Sequence, residues 1–290
     1  SDAITLDGGT LQVTSGFELD PNRGVFLGAS GGTIEVVTGQ TLAYTGAFSG
    51  GGEFVKAGAG EMALLAAQTY TGSTVVQAGT LTLGDAAALG ATTAGTTVAD
   101  GGTLNLADVT VGVEPIVLDG GTLAAASGTS ALSGDVNLTA DATIDVTGTG
   151  AQLTLTGVLS GDHQLSKTGG GELVLGNATN TYSGGTYIGA GTVTIAADGN
   201  LGAAPGSVES DHLDLNGGAL AVTTGFTLDA NRGVTLGANG GEIRVASDQT
   251  LTYEGTVAGA SLTKRGAGLL SLSGANTFNG GVNLKAGTLR

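Results

Sequence analysis

The feature that most constrains this chain is that a large part of it is written twice. The segment from Ile4 to Leu81 returns from Leu213 to Leu289 with order and spacing kept and about half of the aligned residues identical. Gly16-Phe17-Glu18-Leu19-Asp20-Pro21-Asn22-Arg23-Gly24, for example, matches Gly225-Phe226-Thr227-Leu228-Asp229-Ala230-Asn231-Arg232-Gly233, 209 positions later. A third, more diverged copy lies between them, with Asp119-Gly120-Gly121-Thr122-Leu123 standing 112 positions after Asp7-Gly8-Gly9-Thr10-Leu11. These units run approximately over 4–84, 116–196 and 213–290, and they read as one continuous fragment over 1–290. Long units in tandem favour a stack in which each unit buries its apolar face against its neighbours.

Inside each unit the pattern is that of short strands. In Gly191-Thr192-Val193-Thr194-Ile195-Ala196, Val193 and Ile195 point to one side and Thr192 and Thr194 to the other, because strand side chains alternate. Such strands cannot cover their own edges, and winding them into a parallel coil pairs each with the next turn. Glycine and Asn/Asp supply the corners, since glycine reaches positive φ without a Cβ clash. Asp7-Gly8, Asp119-Gly120 and Asn216-Gly217 therefore read as turns. The same dipeptides suit hairpins, so an antiparallel sandwich is the rival architecture.

Composition narrows the class further. The 56 glycines have no three-residue period, which excludes collagen, and 40% hydrophobic content speaks against disorder. With no Trp and only 11 Tyr and Phe, the core is expected to be thin and aliphatic. At about 20 to 25 residues per coil, the chain makes roughly a dozen coils, a rod on the order of 60 Å long. The net charge of −16 arises from only 9 Lys and Arg against 25 scattered Asp and Glu, so nucleic acid is not an expected partner. The absence of Cys removes disulfides, thiol nucleophiles and Cys-ligated metals. No stretch is apolar enough for a membrane-spanning helix, and no signal peptide is seen. The chain begins at Ser1-Asp2-Ala3 directly before a repeat motif and stops within another, which reads as an excised fragment.

One string recurs three times. Its middle copy is Leu165-Ser166-Lys167-Thr168-Gly169-Gly170-Gly171-Glu172-Leu173-Val174-Leu175, then Asn180-Thr181-Tyr182-Ser183-Gly184-Gly185, then Gly189-Ala190-Gly191-Thr192-Val193. The last copy runs from Leu262-Thr263-Lys264 through Asn276-Thr277-Phe278-Asn279-Gly280-Gly281 to Lys285-Ala286-Gly287-Thr288-Leu289. The first departs at Gln68 and Ser73, where the others carry Asn180/Asn276 and Gly185/Gly281, so the pattern leaves the turn geometry of that copy open. This string resembles the autotransporter-associated β-strand repeat, also called the passenger-associated transport repeat. The resemblance implies a right-handed parallel β-helix in a secreted passenger, exported by a C-terminal outer-membrane translocator barrel and held at the bacterial surface. It also implies a stalk that aids folding and export and displays a distal domain. An adhesin or autoaggregation module touching host or sister surfaces is the alternative, and a polysaccharide-active enzyme a third reading.

The residues that could carry chemistry each have a plainer role. His163 and His212 follow Asp at apparent turns and are expected to be solvated there rather than ligands or bases. Lys56, Lys167 and Lys264 recur at one repeat position, which points to structure. Arg23 and Arg232, each in Asn-Arg-Gly, could grip carboxylates or sugars, but pairing with Asp20 and Asp229 beside a turn Asn is expected. Tyr70, Tyr182 and Phe278 could form an aromatic binding stripe, yet covering a corner or stacking is the expected use. Calcium nonapeptides and EF-hand loops are missing, leaving weak surface binding at most. The Thr-x-Thr pairs at 80/82 and 192/194 are too sparse for an ice-binding array. No catalytic, cofactor or metal residue is assigned, and no small-molecule substrate.

Overall fold

The computed structural model describes residues 4–290, so Ser1-Asp2-Ala3, where the excised-fragment reading begins, lies outside the described residues. Every ladder between strands is parallel, apart from an isolated antiparallel bridge between Ala99 and Gly120. The sandwich is thereby excluded. The chain winds as a three-sided β-solenoid of about fourteen turns, slightly more than the dozen expected because turns are short. Thr74 pairs with Thr96 and Ile116 with Val136, advances of 22 and 20 residues. At about 4.8 Å per turn the rod is about 65 Å long.

Only one side carries an unbroken sheet, twelve strands from Phe17–Leu19 to Val257–Gly259. The other two sides are interrupted. A three-stranded sheet ends at Phe48–Gly50, and its line continues through loop residues, with Thr69 N bonded to Phe48 O and Ala91 N to Tyr70 O. It resumes as the nine-stranded sheet starting at Thr110–Val111. The eight-stranded sheet on the third side ends at Leu159–Gly161, continues through Thr181 and Ala203, and resumes at Phe226–Leu228. A 3-10 turn, Asp198–Leu201, lies in the second interruption.

The core is the column of side chains enclosed by the three sides. One inward rung on the unbroken sheet runs Leu81, Leu104, Leu123, Ile144, Lys167, Ile188, Leu215 and Leu236. Alternation fixes it: Gly102–Leu106 and Ala142–Val146 place every second residue inside. The corner dipeptides behave as read, with Gly8, Gly120 and Gly217 at φ +81°, +79° and +96°. Gly50 and Gly161 serve a second purpose, since a Cβ there would meet the carbonyl oxygens of Leu27 and Leu138 at 2.1 Å.

The three copies of the recurring string do not lie above one another. Their opening strands are Phe54–Ala57, Leu165–Thr168 and Leu262–Arg265. These belong to the eight-, twelve- and nine-stranded sheets, three different sides of the rod. Each copy is thus turned by one side relative to the one before.

Candidate functional site

The buried polar groups are concentrated in the recurring string. Lys56, Lys167 and Lys264 are all fully buried and occupy inward rungs, Lys56 between Ile34 and Val76 and Lys264 between Ile243 and Leu284. The aliphatic stem substitutes for a Leu or Ile, and the ammonium reaches a corner. There Lys56 Nζ donates to the carbonyls of Ala57, Gly58 and Ala78 at 2.8, 2.8 and 3.0 Å. Lys264 does the same with Arg265, Gly266 and Ala286 at 2.6, 2.8 and 3.3 Å. Lys167 holds Thr168, Gly169 and Ala190. Three donors meet three acceptors, two on its own corner and one on the next turn, so the lysine ties successive corners together. Burial pulls Lys56 and Lys167 down to about 8 and lowers Lys264 too.

A side-chain amide does the matching work where a ladder passes from a strand into loop residues. Asn180 Oδ1 accepts from Leu159 N at 2.9 Å and its Nδ2 donates to Asn200 O at 2.8 Å. Asn276 Oδ1 accepts from Val257 N at 2.9 Å. Gln68, despite its extra methylene, accepts from Phe48 N at 2.7 Å and donates to Gly46 O and Ala66 O. The departure at Gln68 therefore preserves the function. The one at Ser73 does not: Gly185 and Gly281 have φ of +82° and +80°, whereas Ser73 is outside the positive-φ region and bonds Glu53 Oε2 at 2.8 Å.

Tyr70 and Tyr182 are wholly buried, each hydroxyl paired with the Thr four residues on, Thr74 at 2.5 Å and Thr186 at 2.8 Å. Tyr70 packs beside Phe48 and Phe54, with ring centroids 6.5 and 6.0 Å apart. An aromatic stripe is ruled out on two counts: both tyrosines are inside, and their copies face different sides of the rod.

Three expectations need correction. Arg232 does not pair with Asp229; it is fully buried and meets Asp198 of the 3-10 turn through Nε–Oδ1 and Nη2–Oδ2, both at 3.0 Å. Its remaining hydrogens go to Leu201 O at 2.9 Å, Gly202 O at 2.6 Å and Ala203 O at 3.4 Å. Asp229 instead receives Asn231 N at 2.8 Å, so the turn-forming Asn was read correctly. The second correction is His212, which is buried in the strand Glu209–Leu215, with Nδ1 3.5 Å from Arg232 Nη1. Burial and the neighbouring guanidinium lower its pKa. His163 does sit at the surface, its ring nitrogens 3.6 Å from Asp141 and 3.2 Å from Asp162. Arg23 does not make its expected pair with Asp20 either: it is exposed, no ion pair to it occurs among the described residues, and Asp20 Oδ1 accepts from Asn22 instead.

The carboxylates cap the next turn rather than gather. Asp7, Asp108, Asp135 and Asp141 accept from the backbone amides of Ser30, Thr129, Val158 and Gln164 at 2.7 to 2.9 Å. Among the described residues no group of three or more His, Asp or Glu is placed to hold a metal ion. A shallow groove does run past the exposed Asp100, Asp119 and Asp141 of successive turns.

The passenger-associated-transport-repeat family matches residues 54–83, 165–195 and 262–290, the three segments that carry the buried lysine and amide. Over 96% of its length the chain is also 35% identical to the adhesin BmaC autotransporter of Brucella suis biovar 1 (strain 1330). The chain is an autotransporter-passenger repeat region. It spans 8% of that relative's length. No solved structure matches this passenger repeat region significantly. Sequence reasoning had located the lysines and amides by recurrence; it missed Asp198 and Glu114, which occur in the segments between the matched copies and whose counterparts, Ala86 and Arg232, are of different chemistry.

Proposed function

We propose that this passenger segment is a non-enzymatic stalk that promotes folding and export and holds a distal domain away from the cell surface. The parent protein's C-terminal outer-membrane barrel would be its translocator and anchor. The observation that supports this reading most is the reach of the buried polar bonds. Each lysine and each amide of the transport repeats closes onto its own corner or an adjoining turn, about 20 residues away. Turns emerging one after another can therefore satisfy their buried groups without waiting for distant chain, and each completed repeat resists sliding back. Replacing Lys56, Lys167 and Lys264 together by Met in the full-length parent should reduce surface display of the passenger at unchanged expression. Undiminished display would overturn the reading.

A second reading, adhesion by this segment itself, is supported by the adhesin name of the relative. Arg232 is enclosed, so only Arg23 of the two Asn-Arg-Gly arginines can contact a ligand directly. Loss of cell or glycan binding in Arg23→Ala would favour adhesion, and binding unchanged in that variant would remove the arginine from it.

A further inference from the structure

The two interruptions of the ladders, residues 84–95 and 196–208, follow the first and second transport repeats and share one backbone path. Gly90 and Gly202 have φ of +73° and +79°. Their amides bond Ala87 O and Gly199 O at 3.2 and 3.3 Å, and the next residues, Ala91 and Ala203, donate to Tyr70 O and Tyr182 O at 3.0 and 2.9 Å. The following turns also correspond, for Thr96 pairs with Ile116 as Leu213 pairs with Val234. Two residues before those partners stand Glu114 and Arg232, at the same place relative to the preceding loop although on different sides of the rod.

In the second loop Arg232 fills that place, its guanidinium held by Asp198 and the carbonyls of Leu201, Gly202 and Ala203. In the first loop the carbonyls in the same positions are those of Leu89, Gly90 and Ala91, and none of them accepts a hydrogen bond among the described residues. Ala86 replaces Asp198, and the charge has changed sign. Glu114 is only 1% exposed; Oε1 accepts from Thr96 at 2.8 Å, while the buried Oε2 has no partner. Glu114 lines a cavity of about 320 Å³ with Ala86, Leu89, Gly90, Thr110 and Val111, rimmed by exposed Ala86, Thr110 and Gly112.

We propose that this cavity binds a guanidinium group from outside the chain, in the place that Arg232 fills from within it one repeat later. An unpaired carboxylate beside free carbonyls calls for a cation with several N–H donors in a plane, which a guanidinium supplies and a spherical ammonium supplies less well. A hard metal ion is poorly served, since Glu114 is the one carboxylate lining this cavity and belongs to no group of three or more His, Asp or Glu among the described residues. Burial holds the Glu114 carboxyl above its ordinary range, so binding strengthens as pH rises and the acid ionises.

Calorimetric titration of the 290-residue chain with agmatine and with N-acetyl-arginine amide tests this, with butylamine and Ca²⁺ as controls. Saturable binding of at least one guanidine is expected, tenfold or more weaker in Glu114→Gln, and accompanied by a shift of the Glu114 carboxyl ¹³C resonance with the same midpoint. Binding by agmatine alone would mark a small free guanidine as the source; binding by both would mark an arginine side chain of another polypeptide. In Glu114→Arg paired with Ala86→Asp, a copy of the second loop, binding should vanish and the melting temperature rise. The proposal is overturned by no saturable guanidine binding to the folded wild-type chain, by equal binding of butylamine, by response to Ca²⁺ only, or by a Glu114 resonance that does not move.

Discussion

Arg232 and Asp198 lie 34 residues apart and join in a two-pronged contact, at 3.0 Å on each prong, with the arginine fully buried and the aspartate side chain 27% exposed. The pair fastens an irregular loop across the place where a strand would otherwise continue the ladder. Removing one partner leaves a buried charge unanswered. Asp198→Ala should therefore cost about 3 kcal/mol of stability for the turns around it, and Arg232→Met a similar amount because Leu201 O and Gly202 O lose their donor. The double variant should lose clearly less than the sum. Arg23→Ala, at an exposed site, should fall within about 0.5 kcal/mol of the parent. Urea denaturation, with hydrogen exchange to locate the loss, checks all four.

The lysine rungs make stability depend on pH in a direction that can be worked out. Burial holds Lys56 and Lys167 at about 8 against 10.5 for the free side chain, so between those values the unfolded chain carries more protons than the folded one. Stability should rise over that window. Tyr182 works the other way: burial raises it to about 12 from 10.0, so above pH 10 the unfolded chain loses a proton that the folded chain keeps, and stability falls. Denaturation midpoints measured at pH 7, 9, 10 and 12 should climb as far as pH 10 and fall at 12, because the gain from two lysines outweighs the tyrosine loss until the pH passes about 10.5. In Lys56→Met/Lys167→Met most of the rise from 7 to 9 should disappear, leaving the part that Lys264 contributes, at a cost near neutral pH of about 1–3 kcal/mol per site for carbonyls left without donors.

Much of this was readable beforehand, and the rest was not for definite reasons. Alternation in segments such as Thr192–Ile195, and Gly at Asp7-Gly8, are local signals, so strands and corners were legible. Recurrence exposed Lys167 and Asn180, because a polar residue that returns at one position among aliphatic neighbours is held by the fold. The rotation of successive copies was hidden. Residues 181–183 and 69–71 keep the backbone bonds of a ladder without forming a strand, so counting apolar runs miscounts the sides of a turn. His212 was misread as solvated because Asp211-His212 looks like a turn; the strand Glu209–Leu215 and the guanidinium above it decide otherwise. Asp229 was the near choice for Arg232, but the partner was set by a loop whose path no local pattern announces.

Ser73 and Gly185 occupy one repeat position with different backbones, so exchanging them should not be symmetrical. Gly185→Ser would put a side chain at φ +82° with its Cβ 2.7 Å from His212 O, and should cost about 1–2 kcal/mol or more. Ser73→Gly asks nothing of the backbone and removes an exposed hydrogen bond to Glu53, so its cost should stay under about 1 kcal/mol. Equal losses in a pair of denaturation curves would show that the two turns are alike after all.

The amide position offers the sharpest comparison between copies, because Gln and Asn are both present in one molecule. Gln68 reaches Phe48 N from a backbone placed for the longer side chain, and its Nε2 also serves Gly46 O and Ala66 O. Gln68→Ala leaves the buried Phe48 amide unpaired and should cost about 1–3 kcal/mol. Gln68→Asn shortens the reach by one methylene, and should recover little of that cost if the backbone is fixed by the aromatic packing of Phe48, Phe54 and Tyr70. Asn276→Ala, beside Val257 where the first copy has Phe48, removes a bond of the same kind at 2.9 Å. Asn276 is itself exposed, so it should lose less than Gln68→Ala. Exchange rates of the Phe48 and Val257 amide protons report each bond separately: the Phe48 proton should speed up in both Gln68 variants, and the Val257 proton only in Asn276→Ala.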